Sequence, residues 1–272
     1  MASEIASDEK IAIAQPAQRP PGQPTRRPYR HRFSILYVVL AAATAAAVVG
    51  TVVAVTHTSV GGSGPAWSAW KPSGGGLGAA KQIASQVGGT YHLPSGQQLV
   101  DVIAQAPSVS PNAGQAVPIH FVALRGPKGV IDQVYSVDSS NAVAYTLCGG
   151  GTACAIASGT PSVARGTLVR REILELALYT FKYVGGIKSV IAYMPPPTGQ
   201  KATLAVYLQK SDFTDQLKHP LDQTLNAKVP LPSAITAKEQ ETIDSATQSR
   251  VYTFKLSQAP QGDIVLFLQP LA

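Results

Sequence analysis

The chain has 272 residues, of which 45% are apolar and only 14% are charged. This composition is too hydrophobic for a disordered protein, and the length suffices for one sizeable domain or two small ones. The net charge is +7, but residues 77–272 hold 15 basic and 12 acidic side chains, a balance too mild to predict nucleic-acid binding.

The first predicted segment is a disordered basic tail over residues 1–32. It contains one brief apolar patch among Gln, Pro, Ser and Arg, with no sustained helical or strand period. Such a segment cannot bury enough apolar surface to offset the entropy of ordering it. Its five arginines crowd toward residue 33, and they are Arg19, Arg26, Arg27, Arg30 and Arg32.

Residues 33–56 are predicted to form one transmembrane helix, because 24 consecutive residues lack any charge. A helix of this length spans about 36 Å, enough to cross a hydrocarbon core of about 30 Å. The arginines before it predict a single-pass cell-membrane protein whose N-terminus is cytoplasmic and whose C-terminal domain is extracytoplasmic. A buried soluble helix and a cleaved signal peptide are the alternatives; the run is longer than a signal-peptide core and ends in a poor cleavage site.

Small residues recur every four positions within this run, at Ala42, Ala46, Gly50 and Ala54. Small residues at this spacing let two membrane helices approach closely, which predicts a homodimer through the helix. Alanine-rich composition alone is the alternative explanation.

A glycine-rich tether is predicted over residues 57–76. Trp67 and Trp70 interrupt it. They can lie at the lipid headgroups or be the first residues to pack on the folded domain, and the distance from the predicted span favours packing.

The remaining residues, 77–272, are predicted to form an extracytoplasmic domain that begins with a helix over Leu77–Val87. Apolar or alternating runs separated by turn residues then predict strands and hairpins. These runs are Gln98–Ala106, Pro118–Leu124, Val130–Val137 and Ala142–Leu147.

A central helix is predicted between the N-cap candidate Thr160 and the Gly185-Gly186 pair, because its sequence is apolar on two sides. Two strands, a helix and a closing hairpin follow, at Ile187–Tyr193, Ala202–Leu208, Thr236–Thr247, Arg250–Leu256 and Asp263–Leu268. Runs of strands with a few interspersed helices predict the α+β class more than a doubly wound parallel sheet.

Cys148 and Cys154 are the only cysteines, and three glycines lie between them. An even cysteine count in an exported domain predicts a disulfide, with free thiols as the alternative. A zinc site would need two further ligands at suitable spacing, and none is evident.

The densest charge of the domain lies on the predicted central helix, at Arg165, Arg170 and Arg171, followed by Glu172 and Glu175. The ordinary interpretation is an exposed or internally paired helix end. The alternative is contact with an anionic group or a partner, for which arginine forks are well suited.

No short catalytic, cofactor or metal signature is present. The histidines of the domain, His92, His120 and His219, are widely separated, and the Ser68–Lys71 match to S-x-x-K has the frequency expected by chance. The sequence therefore predicts no catalytic residue, no cofactor and no metal.

The chain resembles uncharacterised single-pass membrane proteins of actinobacteria in three segments. These are the alanine-rich run, the proline-rich basic tail and the segment from Arg170 to Tyr183. This resemblance implies no activity. We expect a non-catalytic envelope module that binds the lipid bilayer through its anchor and a partner protein or cell-wall component through its domain. The alternative is an anchored enzyme of hydrolase type, whose site would assemble from distant residues.

Overall fold

The computed structural model describes residues 66–109, 116–126, 128–157, 159 and 161–271. The predicted tail, the predicted membrane helix with its small-residue positions and most of the predicted tether lie outside the described residues. Helices and strands follow in the order α1 (Gly76–Gly88), β1 (Asp101–Gln105), β2 (Ser108–Val109), β3 (Val117–Arg125), β4 (Ile131–Ser136), β5 (Ala142–Cys148), α2 (Val163–Tyr183), β6 (Ser189–Tyr193), β7 (Leu204–Gln209), α3 (Ala237–Thr247), β8 (Val251–Gln258) and β9 (Ile264–Pro270). Short 3₁₀ turns lie at Thr152–Cys154, Lys210–Phe213, Leu221–Gln223, Pro232–Ala234 and Gln248–Arg250.

The nine strands form one mixed sheet in the order β1-β5-β6-β7-β8-β9-β3-β2, and β4 pairs with β3 outside this path. Two neighbouring pairs are parallel: β5 with β6, which α2 connects, and β3 with β9. The other pairs are antiparallel, including the closing β8–β9 hairpin that the sequence predicts. The sheet therefore combines a β-α-β crossover with hairpins.

Each central strand contributes to two different cores, because successive side chains point to opposite faces of a sheet. On β5, Val143 and Tyr145 pack with the helices, whereas Ala142 and Ala144 pack on the other face. The second core also contains Ile119 from β3, which lies far from β5 in the strand order. The sheet therefore curls until it is nearly closed, and its inner face encloses an apolar core.

The central helix α2 starts at a serine cap. The hydroxyl of Ser162 accepts a hydrogen bond from the backbone N–H of Arg165 at 3.2 Å, which satisfies one of the free N–H groups of the first turn. The cap lies two residues after Thr160, the residue that the sequence favours. Of its 21 residues, 14 are buried, so α2 lies in the interior as its two apolar sides predict.

The predicted fold class is corrected by these findings. It joined a basic tail and one transmembrane helix to an α+β domain, whereas the described residues form a mixed α+β fold on one nearly closed sheet. Within the described ranges, no helix is both long enough and apolar enough to cross a membrane. Local periodicity marks strands, but it does not specify the distant β3–β9 pairing that curls the sheet.

Candidate binding site

The segment at residues 66–70 lies across α2 as a strap. Trp67 belongs to the helix-side core and is only 8% exposed. Its Nε1 donates to the carbonyl of Gln216 at 3.3 Å, and its own carbonyl accepts from the N–H of Leu221 at 2.7 Å. These contacts confirm that the tryptophan packs on the folded domain.

Four aromatic rings meet where this strap crosses the end of α2. Trp67 makes edge contacts with Tyr179 and Tyr183, at centroid distances of 5.5 and 5.6 Å. Trp70 lies 5.7 Å from Tyr179. Such pairs add stability beyond the area that they bury, so the strap is held firmly against the helix.

A cavity of about 180 Å³ opens beside these rings, and we call it the Trp67 pocket. Two carboxylates line it, those of Glu175 and Asp222, and none of its described lining residues is a lysine, arginine or histidine. The full lining is Ala66, Trp67, Ser68, Ala69, Glu175, Tyr179, Pro220, Leu221, Asp222, Leu225, Asn226 and Ala227. Aromatic walls and a few polar groups are typical of sites that bind small molecules.

Behind the pocket lies a buried arginine, Arg171, with no exposed surface. Its Nε donates to Glu239 at 2.8 Å, and its Nη1 donates to Oε2 of Glu175 at 3.1 Å. Its Nη2 donates to the carbonyl of Asn226 at 2.7 Å. The hydroxyl of Tyr91 accepts from Nη1 and donates to Oε2 of Glu175 at 2.5 Å. We call Arg171, Glu175, Glu239, Tyr91 and Asn226 the Arg171 cluster.

The charges of this cluster are set by burial and by their partners. Burial alone would lower the pKa of Arg171, but Tyr91, Glu175 and Glu239 raise it, so the guanidinium stays charged. Burial raises the pKa of Glu175 above its usual range, and hydrogen bonds from Tyr91 and Arg171 offset only part of this rise. One cation therefore faces two carboxylates, which leaves an excess of acceptors at the floor of the pocket.

Glu172 is a second unusual carboxyl on α2. It is fully buried, and neither of its oxygens has a hydrogen-bond partner among the described residues. Burial, followed by the charge of Glu175, raises its pKa well above the usual range. Burial without a partner among the described residues therefore favours the neutral, protonated form of Glu172.

The other predicted arginines lie apart from the pocket lining. The Nη2 of Arg170 lies 2.6 Å from the carboxylate of Asp244, and its Nη1 donates to Thr247 at 3.1 Å. Arg165 is 6% exposed near the start of α2, and burial lowers its pKa. Anion or partner contact by Arg165, Arg170 and Arg171 stays a prediction, and Arg171 itself is engaged inside the domain.

The predicted disulfide is confirmed. Cys148 ends β5 and is bonded to Cys154 in the following turn, with the Cα atoms 4.1 Å apart. The turn folds back tightly, because a Cβ at Gly149 would lie 2.6 Å from the Cα of Ile156. Glycine is therefore required at the start of this loop.

Residues that could serve catalysis are not assembled into a catalytic group among the described residues. The Nδ1 of His120 lies 3.3 Å from Asp263 at the surface, and the pair forms no hydrogen bond to a hydroxyl or thiol of the described chain. Ser68, from the S-x-x-K match, donates to the carbonyl of Trp70 at 2.5 Å. Within the described ranges, no three His, Cys, Asp or Glu side chains are grouped as metal ligands.

Sequence reasoning missed Tyr91, Glu239 and Asn226, which lie far from Arg171 along the chain. Glutamates are common in the first turn of a helix, where they interact favourably with the helix dipole. The position of Glu239 in α3 therefore gives no sign that it pairs with Arg171. The two tryptophans were the available signal, since they break a glycine-rich segment.

No family model, curated protein sequence or solved structure matches this chain. The function is therefore inferred from the Trp67 pocket and the charges behind it.

Proposed function

We propose that this protein is a non-catalytic binding module that acts outside the reducing cytoplasm and takes its ligand in the Trp67 pocket. The single observation that supports binding is a cavity of about 180 Å³ with aromatic walls and a polar floor. The disulfide supports an oxidising, extracytoplasmic location, because such bonds are rare in the cytosol. The ligand is proposed to belong to an envelope protein or a cell-wall component.

The pocket is built on ordered elements. Its floor includes Glu175 on α2, which the Arg171 cluster fixes through two hydrogen bonds. Its wall is Trp67, which hydrogen bonds to the 216–221 segment on both its ring and its backbone. A site whose side chains are already fixed loses little entropy when a ligand binds.

Binding is favoured over hydrolysis by the groups at this pocket. A hydrolase of the serine type needs a base within hydrogen-bond reach of the nucleophile. Here the hydroxyl of Ser68 donates to a backbone carbonyl and also lies 2.7 Å from the hydroxyl of Tyr183. Among the described residues, no histidine lines the cavity and the Ser68 hydroxyl forms no hydrogen bond to Glu175 or Asp222, so it has no activating base there.

Photo-crosslinking of the full chain in intact cells tests this proposal. A photoreactive phenylalanine analogue at Ala69, an exposed lining residue, should form an adduct with the natural ligand. The same analogue at Val134, 57% exposed on β4, is the control and should form none.

A second variant makes this test specific for the pocket. Ala227→Trp places an indole in the cavity from an exposed lining position and should abolish the adduct at residue 69. The matched control, Ala234→Trp, adds the same bulk at an exposed position outside the lining and should preserve it. Equal adducts at positions 69 and 134, or an adduct that survives Ala227→Trp, would contradict the proposal.

A further inference from the structure

We infer that the Trp67 pocket recognises a primary ammonium group, either on a free alkylamine or at the end of a lysine side chain. This inference rests on the proposed function, because it names the chemical class of the ligand for the same pocket. It is based on three observations: the charge of the lining, the free acceptor atoms and the aromatic walls.

The first observation is the charge of the pocket. Glu175 and Asp222 line it, and the lining contains no basic side chain. Behind Glu175, the single cation Arg171 is shared with Glu239. The ammonium of Lys182, near the ring of Trp67, is a second cation, so Arg171 and Lys182 together balance Glu175 and Glu239. Among the described residues, Asp222 then adds an unpaired negative charge at the rim, so a cation entering the pocket gains a favourable Coulomb interaction.

The second observation is the set of unused acceptors. Within the described chain, every hydrogen bond of Glu175 goes to Oε2, so Oε1 of this lining residue keeps its acceptor capacity. The amide nitrogen of Asn226 donates to Glu239, which leaves its side-chain oxygen as an acceptor. The carboxylate of Asp222 is exposed and forms no hydrogen bond to another described residue. An ammonium group offers three donors, which matches these three acceptors.

The third observation is the aromatic wall formed by Trp67 and Tyr179. Cations are attracted to the faces of aromatic rings, and tryptophan is the most favourable of them. The chain itself provides an example, since the ammonium of Lys182 lies 5.7 Å from the ring centre of Trp67. The volume of about 180 Å³ equals that of about six water molecules at roughly 30 Å³ each, so a short alkyl chain with its ammonium fits.

The pocket carries its own optical probe, because Trp67 and Trp70 are the only two tryptophans of the chain. Intrinsic fluorescence of the purified full-length protein therefore reports on this site. The probe ligands are butylammonium, butyrate and butanol, which share a chain length but differ in charge. Butylammonium should change the fluorescence saturably, whereas butyrate and butanol should not.

Two substitutions test the acceptors. Glu175→Gln removes the charge at the floor and should weaken butylammonium binding about tenfold, as expected for a charge-assisted hydrogen bond. Because Glu175 also pairs with Arg171, Asp222→Asn at the exposed rim provides an independent test and should weaken binding severalfold without affecting folding. Asp215→Asn, at a carboxylate that is 81% exposed outside the lining, is the matched control and should leave binding unchanged.

Peptides separate the two sources of the ammonium group. A capped Gly-Lys-Gly peptide that binds more tightly than butylammonium would identify a lysine side chain of a partner, and its acetyl-lysine version should not bind. The reverse order of affinity would identify a free amine.

One result would overturn this inference: butyrate or butanol binds saturably, butylammonium does not, and Ala227→Trp abolishes the binding. Because this variant adds a third tryptophan, its binding is measured by titration calorimetry. The proposed function would then stand with another ligand class. Butylammonium binding that neither Glu175→Gln nor Asp222→Asn weakens would also overturn it. If none of the three probe ligands binds, the inference is overturned. The proposed function fails as well only if the photo-crosslinking experiment also gives no adduct at residue 69.

Discussion

The two faces of the sheet hold cores of opposite character. The inner face contains aliphatic and tyrosine side chains such as Val122, Ile191 and Leu266. The buried carboxylates and cations of the described residues all lie on the helices instead. The helix-covered face buries Arg171, Glu172 and Glu239 together with its apolar side chains. Burial of an apolar side chain is favourable by itself, whereas a buried charge must be paired and hydrogen bonded.

The proposed binding site lies on the helix-covered face, which buries these charges. Replacing a buried ion pair by apolar residues is often neutral or stabilising, so buried charges are weak evidence for stability. The Arg171 cluster instead positions Glu175 at the floor of the Trp67 pocket. The following substitutions challenge this contrast between the faces.

The largest effect is expected from Arg171→Met. Removing the guanidinium leaves Glu239 and Glu175 buried without their cation, which should lower the free energy of unfolding by about 3–5 kcal/mol. Arg170→Met is the matched control on the neighbouring position, where the partly exposed pair with Asp244 predicts a loss of about 1 kcal/mol or less. Urea unfolding of the full chain measures both. If both variants lost the same free energy of unfolding, burial of Arg171 would not make its ion pairs more important for stability than the partly exposed pair of Arg170.

On the inner face, Leu266→Ala should lower the free energy of unfolding by about 2–4 kcal/mol, because it creates a cavity around a fully buried side chain. Its neighbour across the β8–β9 pair, Leu256, is 42% exposed and should lose less than about 1 kcal/mol when changed to Ala. Urea unfolding at pH 5 and pH 8 should give the same loss for Leu266→Ala, since no buried charge is involved. If the loss of unfolding free energy for Leu266→Ala depended strongly on pH, the inner face would not be the uncharged core described above.

The disulfide lies at the end of β5, the strand that serves both cores. Replacing both Cys148 and Cys154 by Ser should lower the free energy of unfolding by about 2 kcal/mol, the chain-entropy value for so short a loop. Reductant should destabilise the unmodified protein by a similar amount and leave the double variant unaffected. Quantitative alkylation of both thiols without reductant would show that the bond is not formed.

The smallest effect is expected from Glu172→Gln. Burial raises the pKa of Glu172, so the folded protein keeps a proton that the unfolded chain releases above about pH 4.3. The folded state then binds more protons, and the free energy of unfolding decreases as the pH rises through that range. Glutamine is neutral at every pH, so the variant should gain about 1 kcal/mol at pH 8 and little at pH 4.

The control for this prediction is Glu241→Gln, at an exposed position of α3. It should leave the pH dependence of unfolding unchanged. A Glu172→Gln variant that is no more stable than the unmodified protein at pH 8 would show that the carboxyl is ionised and paired when folded.

The sequence by itself determined the local elements of this protein. The helix α2 can be predicted from the sequence because its apolar residues recur every three or four positions. The start of α3 can be predicted because Thr236 is a residue typical of a helix N-terminus. The two cysteines, so close together, also specified their own pairing. Each of these features depends on neighbours within a few residues.

Only the tertiary structure decided the curl of the sheet and the identity of the site. The parallel β3–β9 pair and the contacts of Arg171 with Glu239, 68 residues away, join distant segments that no local pattern connects. Trp67 forms a wall of the pocket only because the 216–221 segment and α2 pack against it in the folded chain. Burial and charge pairing are properties of the folded chain, because the same arginine is an ordinary solvated cation until other segments exclude water from it.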